Sequence, residues 1–105
     1  MLSYVNYFSI IIHIIVVQLR ERGGDGMQLN QAVSLRLLEL LSQKKMTQYQ
    51  LSTRSGLPRS TVSNIINCAY PTMKLRIIHE LCQGLEIGIY EFFNSPIFDE
   101  GNLDP

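Results

Sequence analysis

The polar side chains of segment 59–64 are the residues of this chain best suited to contact a nucleic acid. The segment contains no acidic residue, and its hydrogen-bonding residues are Arg59, Ser60, Thr61, Ser63 and Asn64. An arginine can donate two hydrogen bonds to the O6 and N7 atoms of guanine, and an asparagine can pair similarly with adenine. Serine and threonine hydroxyls reach bases or phosphates. The pattern predicts base contacts. Two alternatives stay open: Arg59 contacts only phosphate, or Asn64 bonds within its own subunit.

These residues are predicted to lie on the second of two short helices joined by a tight turn, over residues 47–66. Gly56 supplies the backbone freedom that a sharp corner between helices requires. Ser52 is small enough for the second helix to cross close to it. Four apolar residues face inward and hold the two helices at their angle: Leu51, Leu57, Val62 and Ile65. Such a unit sets its second helix, here predicted over about 59–67, in the major groove of DNA.

The distribution of charge favours a polyanionic partner, although the formal net charge is zero. Residues 40–79 contain no Asp or Glu, and six basic residues lie there: Lys44, Lys45, Arg54, Arg59, Lys74 and Arg76. The acids of the C-terminal tail are Asp99, Glu100 and Asp104. One-sided basicity over the motif is typical of a protein that binds DNA. At 105 residues, the chain supports one small domain.

Several motifs occur in the order and at the spacing of a known family. They are the opening 46–52, the turn 55–57, the segment 60–65 and the closing residues 84–93. Over about Val33 to Phe93 the chain resembles the phage repressor/Cro type of helix-turn-helix regulator, the XRE family. The resemblance implies an all-α fold: a compact five-helix repressor-like DNA-binding domain, here with an extra apolar N-terminal segment. It also implies binding to double-stranded DNA as a homodimer.

The resemblance assigns roles to individual residues. Gln48 matches a phosphate-binding glutamine, Asn67 matches a second phosphate contact, and Arg59, Ser60 and Asn64 match base-reading positions. Together with the basic residues around the motif, the predicted phosphate-binding set is Gln48, Tyr49, Lys44, Lys45, Arg54, Asn67 and Lys74.

Three positions depart from the family's pattern. Cys68 stands where a glycine usually ends the third helix, which puts the left-handed stop there in question. Met73 and Lys74 replace the usual opening of the fourth helix, and Thr72 is an alternative cap one turn earlier. Apolar Leu38 and Leu41 stand where the family is generally charged or polar. With Leu35 they form a second apolar stripe, which either packs on an added segment or partner subunit or simply overlaps the core.

The remaining elements follow from caps and apolar spacing. We predict helices over 29–43, with Asn30 as the cap, and over 48–55, with Thr47 as the cap. The fourth helix is predicted to reach Gln83 and stop at Gly84. Its inward residues are predicted to be Leu75, Ile78, Leu81 and Cys82, and Val33, Leu37 and Leu40 form the inward stripe of the first helix. A short helix starts near Ile89 with Phe92 and Phe93 in the core. Segment 95–98 docks, and 99–105 is expected to fray.

The predicted division is an N-terminal extension (1–26), a DNA-binding domain (27–94) and an acidic C-terminal tail (95–105). The apolar run 4–19 is interrupted by Asn6, Ser9 and His13 and is shorter than the about 20 apolar residues that span a bilayer. The favoured interpretation is translated upstream sequence, because Gly23 and Gly24 can be encoded by a ribosome-binding sequence just before the codon of Met27. A packing or dimerising strand or helix and a membrane anchor are the alternatives.

The expected function is a cytoplasmic, DNA-binding transcriptional regulator. No paired carboxylates, activated nucleophile or glycine-rich phosphate loop is present, so we expect no catalysis and no cofactor. Cys68 and Cys82 lack metal-ligand spacing; Cys82 is predicted to be a buried thiol, with redox sensing by Cys68 as a minor alternative. No small-molecule ligand is indicated, and a membrane is not an expected partner. The alternatives are an antitoxin-type protein that also represses its own operon, or a membrane-tethered regulator.

Overall fold

Five α-helices follow one another in the computed structural model, which describes residues 26–104. They are α1 (Leu29–Lys44), α2 (Gln48–Ser55), α3 (Arg59–Ile66), α4 (Leu75–Leu85) and α5 (Ile89–Phe93), followed by short 3-10 turns at Pro96–Phe98 and Glu100–Asn102. The predicted all-α class is confirmed. The expectations for residues 1–25 and for Pro105 lie outside the described residues.

Local caps define the ends of the first two helices. Thr47 Oγ1 accepts a hydrogen bond from the Gln50 amide at 3.1 Å, as the cap prediction required. In addition, Gln50 Oε1 accepts a bond from the Thr47 amide at 3.0 Å, which completes a capping box. Gly56 ends α2 in the left-handed conformation, with a φ of 78°. The predicted cap of α1 was wrong: Gln28 occupies that position, and its amide donates to Gln31 Oε1 at 2.9 Å.

The inward faces of the helices build one apolar core. Its fully or nearly fully buried members are Val33, Leu37, Leu40, Leu41, Leu51, Val62, Ile65, Ile78, Leu81, Cys82, Leu85 and Phe92. Burial, and secondarily the negative charge of Glu91, raise the pKa of the Cys82 thiol. This thiol is therefore predominantly protonated at neutral pH and unreactive.

The predicted end of α4 at Gln83 was wrong, and the alternative start with Thr72 as the cap is not the one observed. The helix begins at Leu75, which is 71% exposed rather than inward, and Lys74 rather than Thr72 occupies the cap position. It continues through the buried Gly84 and ends at Leu85, where Glu86 takes the left-handed conformation (φ 59°). Cys68 is also left-handed (φ 58°), so a cysteine forms the stop that usually needs glycine.

Gly84 is a buried residue inside α4, at a point where α2 passes very close to it. A Cβ atom at this position would lie 2.8 Å from Ser55 Cβ and 2.9 Å from the Ser55 backbone nitrogen. Neither atom is the flexible end of a long side chain, so α2 and α4 would have to separate. Gly84 therefore sets the distance between these two helices.

Replacing Gly84 by alanine should reverse the usual effect of this substitution in a helix. Alanine in a helix interior is normally more stable than glycine by about 1 kcal/mol. Here we expect a loss of about 1–3 kcal/mol from overpacking, measured by urea unfolding. Gly88→Ala controls for the added methyl group without a clash, because nothing lies within 4 Å of its Cβ position. Gly88 is the N-cap of α5, so we expect only the loss from a weaker cap, about 1 kcal/mol or less. Stabilisation by Gly84→Ala would contradict the close approach.

The three leucines of the second stripe of α1 lie in three different environments. Leu41 joins the main core, whereas Leu35 packs against Met27, Ala32 and Ile97. Leu38 lines a surface groove with the start of α2. Overlap with the core therefore explains Leu41, and packing on an added segment explains Leu35.

That added segment is the C-terminal tail. Residues 95–98 dock as predicted, with Ile97 buried. The expectation that the following residues fray was wrong for 99–104. The Met27 amide donates to the Asn102 carbonyl at 3.1 Å, and the Asp104 amide donates to the Met27 carbonyl at 2.8 Å. The Asn102 side chain adds a bond to the Pro96 carbonyl. These paired backbone groups hold the tail beside the start of α1.

Candidate nucleic-acid interface

Helix α3 buries its apolar side and presents a polar side outward. Val62 is fully buried and Ile65 is 1% exposed. Of the predicted base-reading residues, Arg59 and Ser60 are exposed, and Thr61, Ser63 and Asn64 are half-buried. The corner at Gly56 therefore leaves the polar side of α3 accessible, which is the arrangement that a recognition helix requires.

The starts of α2 and α3 form one shallow depression. Its lining residues are Gln48, Tyr49, Arg59, Ser60 and Ser63. The guanidinium carbon of Arg59 lies 4.9 Å from the centre of the Tyr49 ring, within the range of a cation–π interaction. Predicted phosphate-binding and base-reading residues thus meet at a single place.

Asn64 is hydrogen-bonded within its own subunit. Its Nδ2 atom donates to the Tyr70 hydroxyl at 3.1 Å, which is the alternative that the sequence left open. A carboxamide carries two N–H donors and an acceptor oxygen, so this bond uses only part of its capacity. Tyr70 is itself held in place, because its carbonyl accepts a bond from the Asn30 side chain at 3.0 Å. Sequence reasoning missed Tyr70, since no local pattern links a loop tyrosine to this asparagine.

Asn67 lies just beyond the last residue of α3, in agreement with the predicted end of the helix at about residue 67. Asn67 is exposed, and its Nδ2 donates to Ser63 Oγ at 3.3 Å. This contact links a predicted phosphate-binding residue to a predicted base-reading residue.

The predicted phosphate-binding cations lie on or next to three different helices. Lys44 is in the last turn of α1, and Lys45 follows it in the left-handed conformation, lining a groove with Gln48. Arg54 lies in the last turn of α2, at the opposite end from Gln48, and Lys74 precedes α4. The structure therefore groups Lys45 with Gln48 but does not bring Arg54 or Lys74 into that groove.

Ion pairs among residues 26–104 do not neutralise the predicted DNA-contacting cations. Within residues 26–104 the ion pairs are Arg36–Glu39 and Arg76–Glu80, and neither includes a predicted DNA-contacting residue. All five predicted cations (Lys44, Lys45, Arg54, Arg59 and Lys74) are exposed. Their charge therefore stays available to attract phosphates, an effect that decreases as salt increases.

Neither a metal-binding cluster nor a membrane-spanning helix occurs in the described part of the chain. No cluster of three or more His, Cys, Asp or Glu side chains suited to a metal ion occurs in residues 26–104. Among those same residues, no helix has both the length and the apolar character needed to cross a membrane.

Two short helices about a glycine corner, with a polar outward side on the second, define a helix-turn-helix DNA-binding domain. The family of Cro/C1-type HTH DNA-binding domains matches residues 36–95, more than half of the chain. The chain therefore belongs to this family, and the predicted XRE-type membership is confirmed. The protein is a DNA-binding regulator of that type. No curated protein and no solved structure matches it.

Proposed function

We propose that this protein is a sequence-specific transcriptional regulator that inserts α3 into the major groove of double-stranded DNA. The supporting observation is the two-sided character of α3. Val62 and Ile65 are buried, whereas the side chains of Arg59 and Ser60 are exposed beside the start of α2. Such a regulator acts in the cytoplasm, where bacterial or phage DNA lies, and needs neither catalysis nor a cofactor.

In this proposal the outward residues of α3 read base edges. Arg59 pairs with guanine, and Asn64 contacts adenine with the part of its amide that Tyr70 does not engage. Ser60, Thr61 and Ser63 bond to neighbouring bases or phosphates. The proposed DNA-binding unit is residues 27–94, supported by the tail packed on α1.

The phosphate contacts fix the register of α3 without reading sequence. Gln48 and the first amides of α2 lie at a helix N-terminus, where the backbone N–H groups and the helix dipole favour an anion. We assign the other phosphate contacts to Lys44, Lys45, Arg54, Asn67 and Lys74. Lys45 is the simplest test of this group, because it shares a groove with Gln48.

We propose that the protein acts as a homodimer. A single domain of this size covers little DNA, whereas helix-turn-helix dimers read two half-sites about one helical turn apart. Sedimentation with a duplex that carries two half-sites should show two chains bound, and one bound chain would contradict the dimer.

Arg59→Ala and Asn64→Ala should each relax sequence preference. We expect each to reduce the difference in binding free energy between operator and random DNA by about 1–3 kcal/mol, because base contacts carry the discrimination. The operator is first obtained by selecting duplexes from a randomised library with the full-length chain. Affinities for selected and random duplexes are then measured by fluorescence anisotropy at several salt concentrations.

Lys45→Ala is the matched control for a phosphate contact. It should weaken binding to both duplexes equally and reduce the slope of log affinity against log salt by about 1. If Arg59→Ala and Asn64→Ala also weaken both duplexes equally, these two residues do not read bases.

A further inference from the structure

The Tyr49 ring has no place in the core but lies against a functional side chain. Tyr49 is in the first turn of α2 and is 59% exposed, a high value for a large aromatic residue. Its ring centre lies 4.9 Å from the guanidinium carbon of Arg59, the first residue of α3. The corner at Gly56 brings these two residues together.

This contact restricts a side chain that would otherwise be highly flexible. An exposed arginine samples many rotamers, and ordering it opposes binding. Tyrosine has only two side-chain torsions, so holding its ring against the guanidinium costs little conformational entropy. Within residues 26–104, Arg59 has no side-chain hydrogen bond or ion pair that would hold it elsewhere.

A cation over an aromatic ring keeps its hydrogen-bond donors available. The ring attracts the face of the guanidinium, whereas the N–H groups project from its planar edge. Those same N–H groups form the bidentate pair with the O6 and N7 atoms of guanine. Tyr49 can therefore hold Arg59 without competing with a base.

We propose that Tyr49 is a positioning residue that pre-orients Arg59 for recognition of one guanine. This inference rests on the proposed base-reading role of α3, and it specifies guanine as the base that the Arg59 position recognises. It differs from the phosphate contact predicted for Tyr49, because a phosphate contact uses the hydroxyl whereas the positioning role uses the ring. A phenylalanine at residue 49 separates the two roles.

The experiment uses the full-length chain and duplexes that it selects from a randomised library. Each guanine of a selected duplex is replaced in turn by 7-deazaguanine, which keeps base pairing but lacks the N7 acceptor. For the wild-type chain, one replacement should lower affinity by at least about fivefold, and Arg59→Ala should lose that sensitivity. This step tests the proposed role of Arg59 alone.

Tyr49→Leu and Tyr49→Phe then test the positioning role. Tyr49→Leu should lower affinity for the selected duplex about two- to fivefold and reduce the sensitivity to 7-deazaguanine, because the cation–π contact is lost. Tyr49→Phe should retain both properties. In the Arg59→Ala background, Tyr49→Leu should cause no further loss. The thermal unfolding midpoints should not change, since residue 49 is largely exposed.

The outcomes separate this inference from the proposed function. If Arg59→Ala keeps full sensitivity to 7-deazaguanine, the reading role of Arg59 is wrong, and so is its positioning by Tyr49. If Arg59→Ala loses the sensitivity but Tyr49→Leu keeps it, only the inference fails. If Tyr49→Phe is as weak as Tyr49→Leu, the hydroxyl matters and Tyr49 is a phosphate ligand instead.

Discussion

Arg36→Ala is expected to lower the free energy of unfolding by about 3–5 kcal/mol, because it breaks a buried, charged hydrogen-bond network. Arg36 is 8% exposed. Its Nε and one terminal nitrogen donate to the carbonyls of Phe92 and Glu91, each at 2.8 Å, and the other terminal nitrogen pairs with Glu39. The guanidinium thus joins α1 to the end of α5. Its removal leaves two carbonyls without these donors and a buried carboxylate without this cation.

The other ion pair of residues 26–104 provides the control. Arg76 pairs with Glu80 at 3.1 Å, but the Arg76 side chain is 85% exposed. An exposed pair of this kind contributes about 0–1 kcal/mol, so Arg76→Ala should change stability little. Urea unfolding followed by circular dichroism measures both variants. Equal, small losses would show that burial and the two carbonyl contacts of Arg36 do not contribute as argued.

Phe92→Ala is expected to cost about 3–5 kcal/mol, the usual range for removing a fully buried phenylalanine. Phe92 is 0% exposed, and its ring centre lies 5.1 Å from that of Phe93 and 6.2 Å from that of Phe98. Phe92 belongs to the main apolar core, so alanine would leave a cavity there. A loss of this size is a large part of the stability typical of a small domain.

Tyr90 lies on the same helix but is 82% exposed, so Tyr90→Ala is the matched control. It should change the free energy of unfolding by no more than about 0.5 kcal/mol in the isolated domain, because it removes no packing. Calorimetry of both variants at one protein concentration makes the comparison. If Tyr90→Ala costs as much as Phe92→Ala, residue 90 has a buried environment that the monomer lacks, as in a dimer interface.

Local signals made the helix-turn-helix unit predictable. Thr47 and Gln50 cap α2 through contacts three residues apart, and Gly56 supplies a left-handed stop at its end. The spacing of apolar and polar residues on α3 is also a local signal, because the helical period places residues three or four apart on the same side. The boundaries of α2 and the polar, outward side of α3 could therefore be predicted from neighbouring residues alone.

Contacts between distant segments were not predictable in this way. Gly84 has the local signature of a helix stop, yet it lies inside α4, where the close approach of Ser55 leaves no room for a Cβ atom. Residues 99–104 have the composition of a frayed tail, yet they pair with Met27. Arg36 has no sequence feature that predicts its contacts with α5. In each case the partner lies far away in the sequence, where periodicity and caps carry no information.

The same distinction between local signals and distant contacts applies to the candidate interface. The residue types on α3 and the basic stretch around it are properties of the sequence, and they determined the class of partner and the set of candidate contacts. Only the tertiary structure decided that Tyr49 lies against Arg59 and that Tyr70 engages Asn64. The reason is geometric: these pairs meet across the corner at Gly56 and across the loop after α3, where small changes in backbone direction determine which side chains touch.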